Sequence, residues 1–248
     1  MESLSVETKS SDSVSAVVTP IVVDKIRKIS FPKKSELVVI SGGASGVDRA
    51  FLRVAHKLGI KTMGYAPRNF GYDGSTCPEM KDYGLEDCKG GHSTKDKMNI
   101  DVCKPDVLMV HPINIPKTGR GTSQTRNYAL YGNYWMYGEK DEKTKQEIKE
   151  SLEEKYKLEY SKDKEFNIVE DGKIPVIEVW NITTNKDIAE ITADKMEDVV
   201  DNIVDTWIKF KPARFMVTGM TEKVGNCETI IGGIYELAFK EYFTLLDD

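Results

Sequence analysis

The order of apolar and polar positions along the chain predicts short buried strands alternating with amphipathic helices. Leu37-Val38-Val39-Ile40 is an unbroken apolar run with three β-branched residues, the pattern of a parallel strand covered on both faces. Val47, Ala50, Phe51, Val54, Ala55 and Leu58 then recur at i, i+3, i+4, i+7, i+8 and i+11, which is one face of a helix. Gly59 ends that helix, and residues 61–65 supply the next strand, so the stretch reads as a βαβ unit. Residues 107–110 predict a third buried strand. Residues 173–180 predict a fourth, with Pro175 near its start where a missing N–H is tolerated, and residues 215–219 a fifth strand and turn. A helix is expected over residues 93–103, capped by Ser93 or Thr94, with Met98 and Val102 pointing inward. Met196, Val199, Val200, Ile203, Val204, Trp207 and Ile208 mark the strongest helix of the second half. Ile231, Ile234, Tyr235, Ala238 and Tyr242 mark the last one.

The turns between these elements carry the candidate chemistry. Ser41-Gly42-Gly43-Ala44-Ser45-Gly46-Val47-Asp48-Arg49 joins the first strand to its helix. Such a turn aims backbone N–H groups at whatever sits above the sheet edge. Ser41, Gly42, Gly43, Ser45, Gly46, Asp48 and Arg49 are therefore the first group of candidate ligand-binding residues. A second glycine–hydroxyl stretch, Lys117-Thr118-Gly119-Arg120-Gly121-Thr122-Ser123, follows the third strand, with Thr122 or Ser123 capping a helix through Tyr128, Ala129 and Leu130. It adds Gly119, Arg120, Gly121, Thr122 and Ser123. A phosphate is expected on the backbone N–H groups of residues 42–47 and 119–123, and Gly43→Val is expected to weaken binding while leaving the fold largely intact. Residues 66–91 contain Pro67, Gly71, Gly74, Pro78, Gly84, Gly90 and Gly91, which forbid a long helix or strand and suggest a functional loop. Arg68, Tyr72 and Asp73 are candidates there, with Tyr72 stacking on a ring of the ligand. Asp48 and His111 are the weak catalytic candidates. A single histidine with no partner nearby in sequence is more often structural.

Composition narrows the setting. The chain has 248 residues, 40% apolar and 30% charged, with a net charge of −5. That suffices for one α/β domain over residues 20–248, preceded by a Ser/Glu-rich tail at 1–19 that reads as disordered. Residues 20–29 read as a short helix leading in, with Ile21, Ile26 and Ile29 as anchors. A mildly acidic chain argues against nucleic acid as the main partner. No run approaches the ~18 apolar residues of a membrane span. The tail lacks a basic segment followed by a long apolar core, so a cytoplasmic protein is expected. Cys77, Cys88, Cys103 and Cys227 show no regular spacing. Only Cys88-x3-His92 resembles a metal-ligand pair, and reduced thiols with no metal are expected. Residues 139–164 are dominated by Glu and Lys, with Ile148, Leu152 and Tyr156 as a thin apolar stripe. They read as a solvated helical insertion.

The stretch from Ser41 to Ala50 resembles the opening signature of the molybdenum carrier family, a circularly permuted YpsA-like branch of the SLOG superfamily related to the lonely-guy phosphoribohydrolases. Gly64-Tyr65-Ala66-Pro67, residues 78–85, Asn99 with Asp101, residues 119–125, Val217-Thr218-Gly219 and Ile234-Tyr235-Glu236 follow in the family's order. The resemblance covers residues 37–133 and 174–243. It implies a Rossmann-like α/β fold, doubly wound, with a mainly parallel sheet and helices on both faces. It also implies a pocket for a nucleotide, a nucleotide-derived molecule or a pterin phosphate such as the molybdenum cofactor. Lonely-guy enzymes carry Gly-Gly-x-Gly-Thr-x-x-Glu, whose glutamate serves N-glycosidic cleavage. Here Thr125 stands in the glutamate's place, and a threonine cannot do a carboxylate's acid–base work.

Two functional readings result. The first is a carrier or sensor that binds a small anionic ligand without transforming it. The second is a hydrolase of nucleotide-type N-glycosidic or phosphate bonds, using Asp48 with His111 or Arg49. A scaffold whose charged insertion recruits a protein is a third, weaker reading, and a homo-oligomer stays open.

Overall fold

The computed structural model describes residues 30–72, 74–111, 120–132, 166–170, 172–179, 193–219 and 227–246. The expected tail, the helix at 20–29, Asp73, residues 112–119 and the charged insertion at 139–164 lie outside the described residues. The strands are β1 (Val38–Ile40), β2 (Lys61–Ala66), β3 (Gly71–Tyr72), β4 (Ser75–Thr76), β5 (Leu85–Asp87), β6 (Val107–Val110), β7 (Phe166–Val169), β8 (Val176–Val179) and β9 (Arg214–Thr218). The α-helices are α1 (Val47–Lys57), α2 (His92–Asp101), α3 (Arg120–Tyr131), α4 (Ala193–Phe210) and α5 (Cys227–Leu246). Seven strands form one sheet in the order β5-β2-β1-β9-β6-β8-β7. Every neighbouring pair is parallel except β7 with β8. The last strand of the chain thus lies at the centre, between β1 and β6.

The buried apolar runs are two-sided, as a doubly wound sheet requires. Val39, Phe215 and Val107 stand in register across three strands and join the core beneath α1, α4 and α5. The adjacent row, Ile40, Met216, Leu108 and Val176, packs beneath α2 and α3. On the first face Trp207 is fully buried, its ring centroid 4.7 Å from that of Phe215 and 4.8 Å from that of Phe239. Phe51 of α1 meets Tyr235 of α5 edge-on at 4.6 Å. These contacts account for the strong apolar stripes of α1, α4 and α5.

Three expectations change. Residues 66–91 hold more regular structure than a loop: the β3–β4 hairpin, a 3-10 segment at Pro78–Tyr83, and β5, which pairs with β2 at the sheet edge. The glycines there end elements without preventing strands two or three residues long. The inward face of α2 is Lys95, Asp96, Asn99 and Ile100, whereas Val102 is 53% exposed. That helix turns polar groups inward because it lies over the first glycine turn and the end of β2. Finally, α3 already begins at Arg120, so Gly121, Thr122 and Ser123 form its first turn and are not a loop.

Candidate functional site

The helices after β9 and β6 leave to opposite faces of the sheet, since α5 packs on α1 and α4 while α3 packs on α2. In an open α/β sheet such a switch opens a crevice at the C-terminal strand ends, where ligands bind. His111, Gly219 and the glycine turn after β1 lie at this edge.

The turn after β1 is braced by its own side chains. Ser41 Oγ donates to the Asp48 carbonyl at 3.1 Å and accepts the Gly43 N–H at 3.1 Å. The Asp48 carboxylate accepts the Ala44 N–H. The Gly46 N–H donates to Glu228 of α5 at 3.2 Å, and Glu228 also pairs with Arg53. Three of the N–H groups expected to hold a phosphate are therefore already satisfied from within the chain. The glycines also have internal reasons. A Cβ on Gly42 would stand 2.5 Å from Lys95 Nζ, so Gly42 makes room for a lysine crossing the turn. Gly43 has φ of +69°, and a Cβ there would meet the Tyr72 hydroxyl at 2.7 Å and Leu85 at 2.8 Å. Gly43→Val therefore strains the turn itself, contrary to the expectation of an intact fold.

Lys95 is the group that the sequence reading missed. It is buried and pairs with buried Asp96 at 2.8 Å. It also lies close enough to Asp48 for each to stabilise the other's charge. Burial raises the Asp48 carboxyl to about 6; Lys95 opposes the shift, the neighbouring Asp96 adds to it, and the Ala44 N–H and Arg49 oppose it less strongly. The Lys95 ammonium is held above its ordinary range because Asp96 and Asp48 together outweigh its own desolvation. Asn99, one turn further along α2, accepts the Tyr65 N–H at 2.8 Å and donates to the Tyr65 carbonyl at 3.2 Å, fastening α2 to the end of β2. The spacing of Asp96, Asn99, Ile100 and Cys103 at i, i+3, i+4 and i+7 is the signal that could have shown this inward face.

The other candidates divide. Arg49 donates to the Gly43 carbonyl at 3.3 Å and to Cys77 Sγ at 3.4 Å, and its guanidinium lies 5.9 Å from the centre of the Tyr72 ring. Tyr72 is buried and donates its hydroxyl to the Gly42 carbonyl at 2.7 Å, so it props the turn and is not a free stacking platform. Arg68 is exposed, its guanidinium committed to the Lys89 carbonyl at 2.8 and 2.9 Å. Ser45 is half-buried in the turn. Thr122 of α3 reaches this edge, donating to the Gly219 carbonyl at 3.0 Å; Gly121 and Ser123 are exposed, and Gly119 lies outside the described residues. His111 is fully buried, shares a 2.6 Å hydrogen bond with the Tyr235 hydroxyl, and is pushed by burial down to about 3. It is a neutral brace between β6 and α5, unsuited to proton transfer near pH 7. Among the described residues no group of three or more His, Cys, Asp or Glu side chains could hold a metal ion. Among the same residues no helix is long and apolar enough to cross a membrane.

The crystal structure of a "putative molybdenum carrier protein" from Syntrophus aciditrophicus SB is similar over 86% of this chain and 97% of that one, with 19% sequence identity and a TM-score of 0.48. No curated protein matches the chain. Residues 39–160, which run from β1 through the glycine turn, α2 and α3, match the circularly permutated YpsA SLOG family.

Proposed function

We propose that the chain binds a small anionic ligand of the nucleotide or pterin-phosphate class at the C-terminal edge of β1, β9 and β6, as a carrier or sensor. The observation that carries this reading is the burial of Lys95 with Asp96 and Asp48 against the glycine turn. Burying charges costs more than an apolar core would, and strongly perturbed groups in a cleft point to a site. In this reading the Lys95 ammonium meets the ligand's anionic group. Asp48, protonated or accepting a ligand hydroxyl, sits beside it, and Arg49 flanks the pair. Because an ionised Asp48 repels an anion, binding tightens as the pH falls through about 6.

A melting scan with AMP, a pterin phosphate and inorganic phosphate tests this. A ligand at a hundred times its dissociation constant raises stability by about 2.7 kcal/mol. The expected result is a shift for wild type that Lys95→Gln loses. Absence of any shift across the panel, at both pH 5.5 and pH 8, overturns the proposal. Asp48 gives the hydrolase reading its one specific support, since a buried carboxyl near 6 can serve as an acid or a base. Release of free base or phosphate by wild type, lost in Asp48→Asn, would make that reading the better one.

A further inference from the structure

The outer surfaces of α4 and α5 enclose a groove of about 640 Å³, remote from the glycine turn in sequence and chemistry. Met196, Val200 and Leu237 give it an apolar lining, and Glu197, Asp201 and Glu241 add exposed carboxylates. Leu237 is 47% exposed, one of two large apolar side chains so exposed among the described residues. Lys240 also lines the groove, but its ammonium pairs with Glu236 at 2.8 Å, so the rim is acidic. A second copy of the same face would set carboxylates against carboxylates.

The chain itself carries a segment of the opposite character. Val22, Ile26 and Ile29 recur at i, i+4 and i+7, and Lys25, Arg27 and Lys28 outnumber Asp24. The described chain begins just after this segment, and it begins on α5. The Phe31 ring packs edge-on against Tyr242 at 6.1 Å, with Lys211 4.7 Å above its centre. Tyr242 lies next to Glu241, on the helix that supplies Leu237, Glu241 and Thr244 to the groove. A tether this short holds the segment at an effective concentration in the millimolar range.

We propose that residues 21–29 dock in cis in the α4–α5 groove, with Val22, Ile26 and Ile29 on Leu237 and the basic side chains on Glu197, Asp201 and Glu241. Carbodiimide coupling of the full-length chain tests this, because it joins an amine to a carboxylate only where the two already touch. An equal mixture of ¹⁴N- and ¹⁵N-labelled chains separates coupling within a chain from coupling between copies. The expected products join Lys25 or Lys28 to Glu197, Asp201 or Glu241 of the same chain. Leu237→Asp and Ile26→Asp should each lower their yield about tenfold, the ratio equivalent to about 1.4 kcal/mol. Leu237 lies outside the buried core, and an unchanged melt of Leu237→Asp verifies that its fold is intact. Products that only join different copies, or yields indifferent to both substitutions, overturn the proposal.

Discussion

Arg126 and Glu178 form a buried ion pair between α3 and β8, whereas buried Lys95 faces two buried carboxylates, Asp96 and Asp48. In the first set Arg126 also reaches Asn127 Oδ1 at 3.4 Å, and Glu178 sits within a strand that pairs on both sides. The second is over-subscribed, and one of its carboxyls is pushed up to about 6. A matched pair fastens a helix to a sheet. An ammonium shared between two acids beside a glycine turn has the means to respond to an incoming group or proton.

Substitutions that remove one partner should separate the two sets. Arg126→Met leaves Glu178 buried without its cation and should cost about 3–5 kcal/mol, measured by denaturant unfolding. Adding Glu178→Leu should recover most of that loss. Lys95→Met should cost less, about 2–3 kcal/mol near pH 7, because a carboxyl already displaced upward can take a proton instead. Its penalty should shrink towards pH 5, while that of Arg126→Met stays large. Equal and pH-independent penalties would show that the two sets are built alike.

The Asp48 carboxyl gives a finer test. Its folded value of about 6 exceeds the ordinary 3.8, so the folded state keeps a proton that the unfolded chain releases. Wild-type stability should therefore fall as the pH rises from about 4 to about 6 and level off above, by on the order of 3 kcal/mol. Asp48→Asn should lack that fall. The smallest effects should come from the brace around the turn. Gly43→Ala, at positive φ with the Tyr72 hydroxyl in its way, should cost about 1–2 kcal/mol. Tyr72→Phe, which removes one hydrogen bond to Gly42, should cost about 1 kcal/mol.

The fold was legible where apolar spacing was strict. The cores of β1, β6 and β9 and the inward faces of α1, α4 and α5 stand where the pattern placed them. The edge strand β5 was missed because Leu85–Asp87 is too short to show a period, and only its pairing with β2 makes it a strand. The candidate site was legible in part. The glycine turn was found, but its glycines were read as room for a ligand when Gly42 makes room for Lys95 and Gly43 for Tyr72. Lys95 was missed because a Lys-Asp pair on a helix ordinarily faces water, and its burial depends on the turn at Gly42, far earlier in the chain. From position alone Tyr72 reads as a stacking surface for a ligand ring and His111 as a weak catalytic candidate. Burial, which local sequence does not show, makes both of them braces.

If the Lys95 set holds the ligand, the ligand's anionic group lies against the Lys95 ammonium. Soaking crystals of the wild-type protein with AMP at pH 5.5 and locating the bound phosphate tests it most directly. The expected result is phosphate density within hydrogen-bonding distance of Lys95 Nζ, above the turn formed by Gly42 and Gly43. A phosphate bound at another face, or an edge that stays filled by the protein's own side chains at saturating ligand, would contradict it.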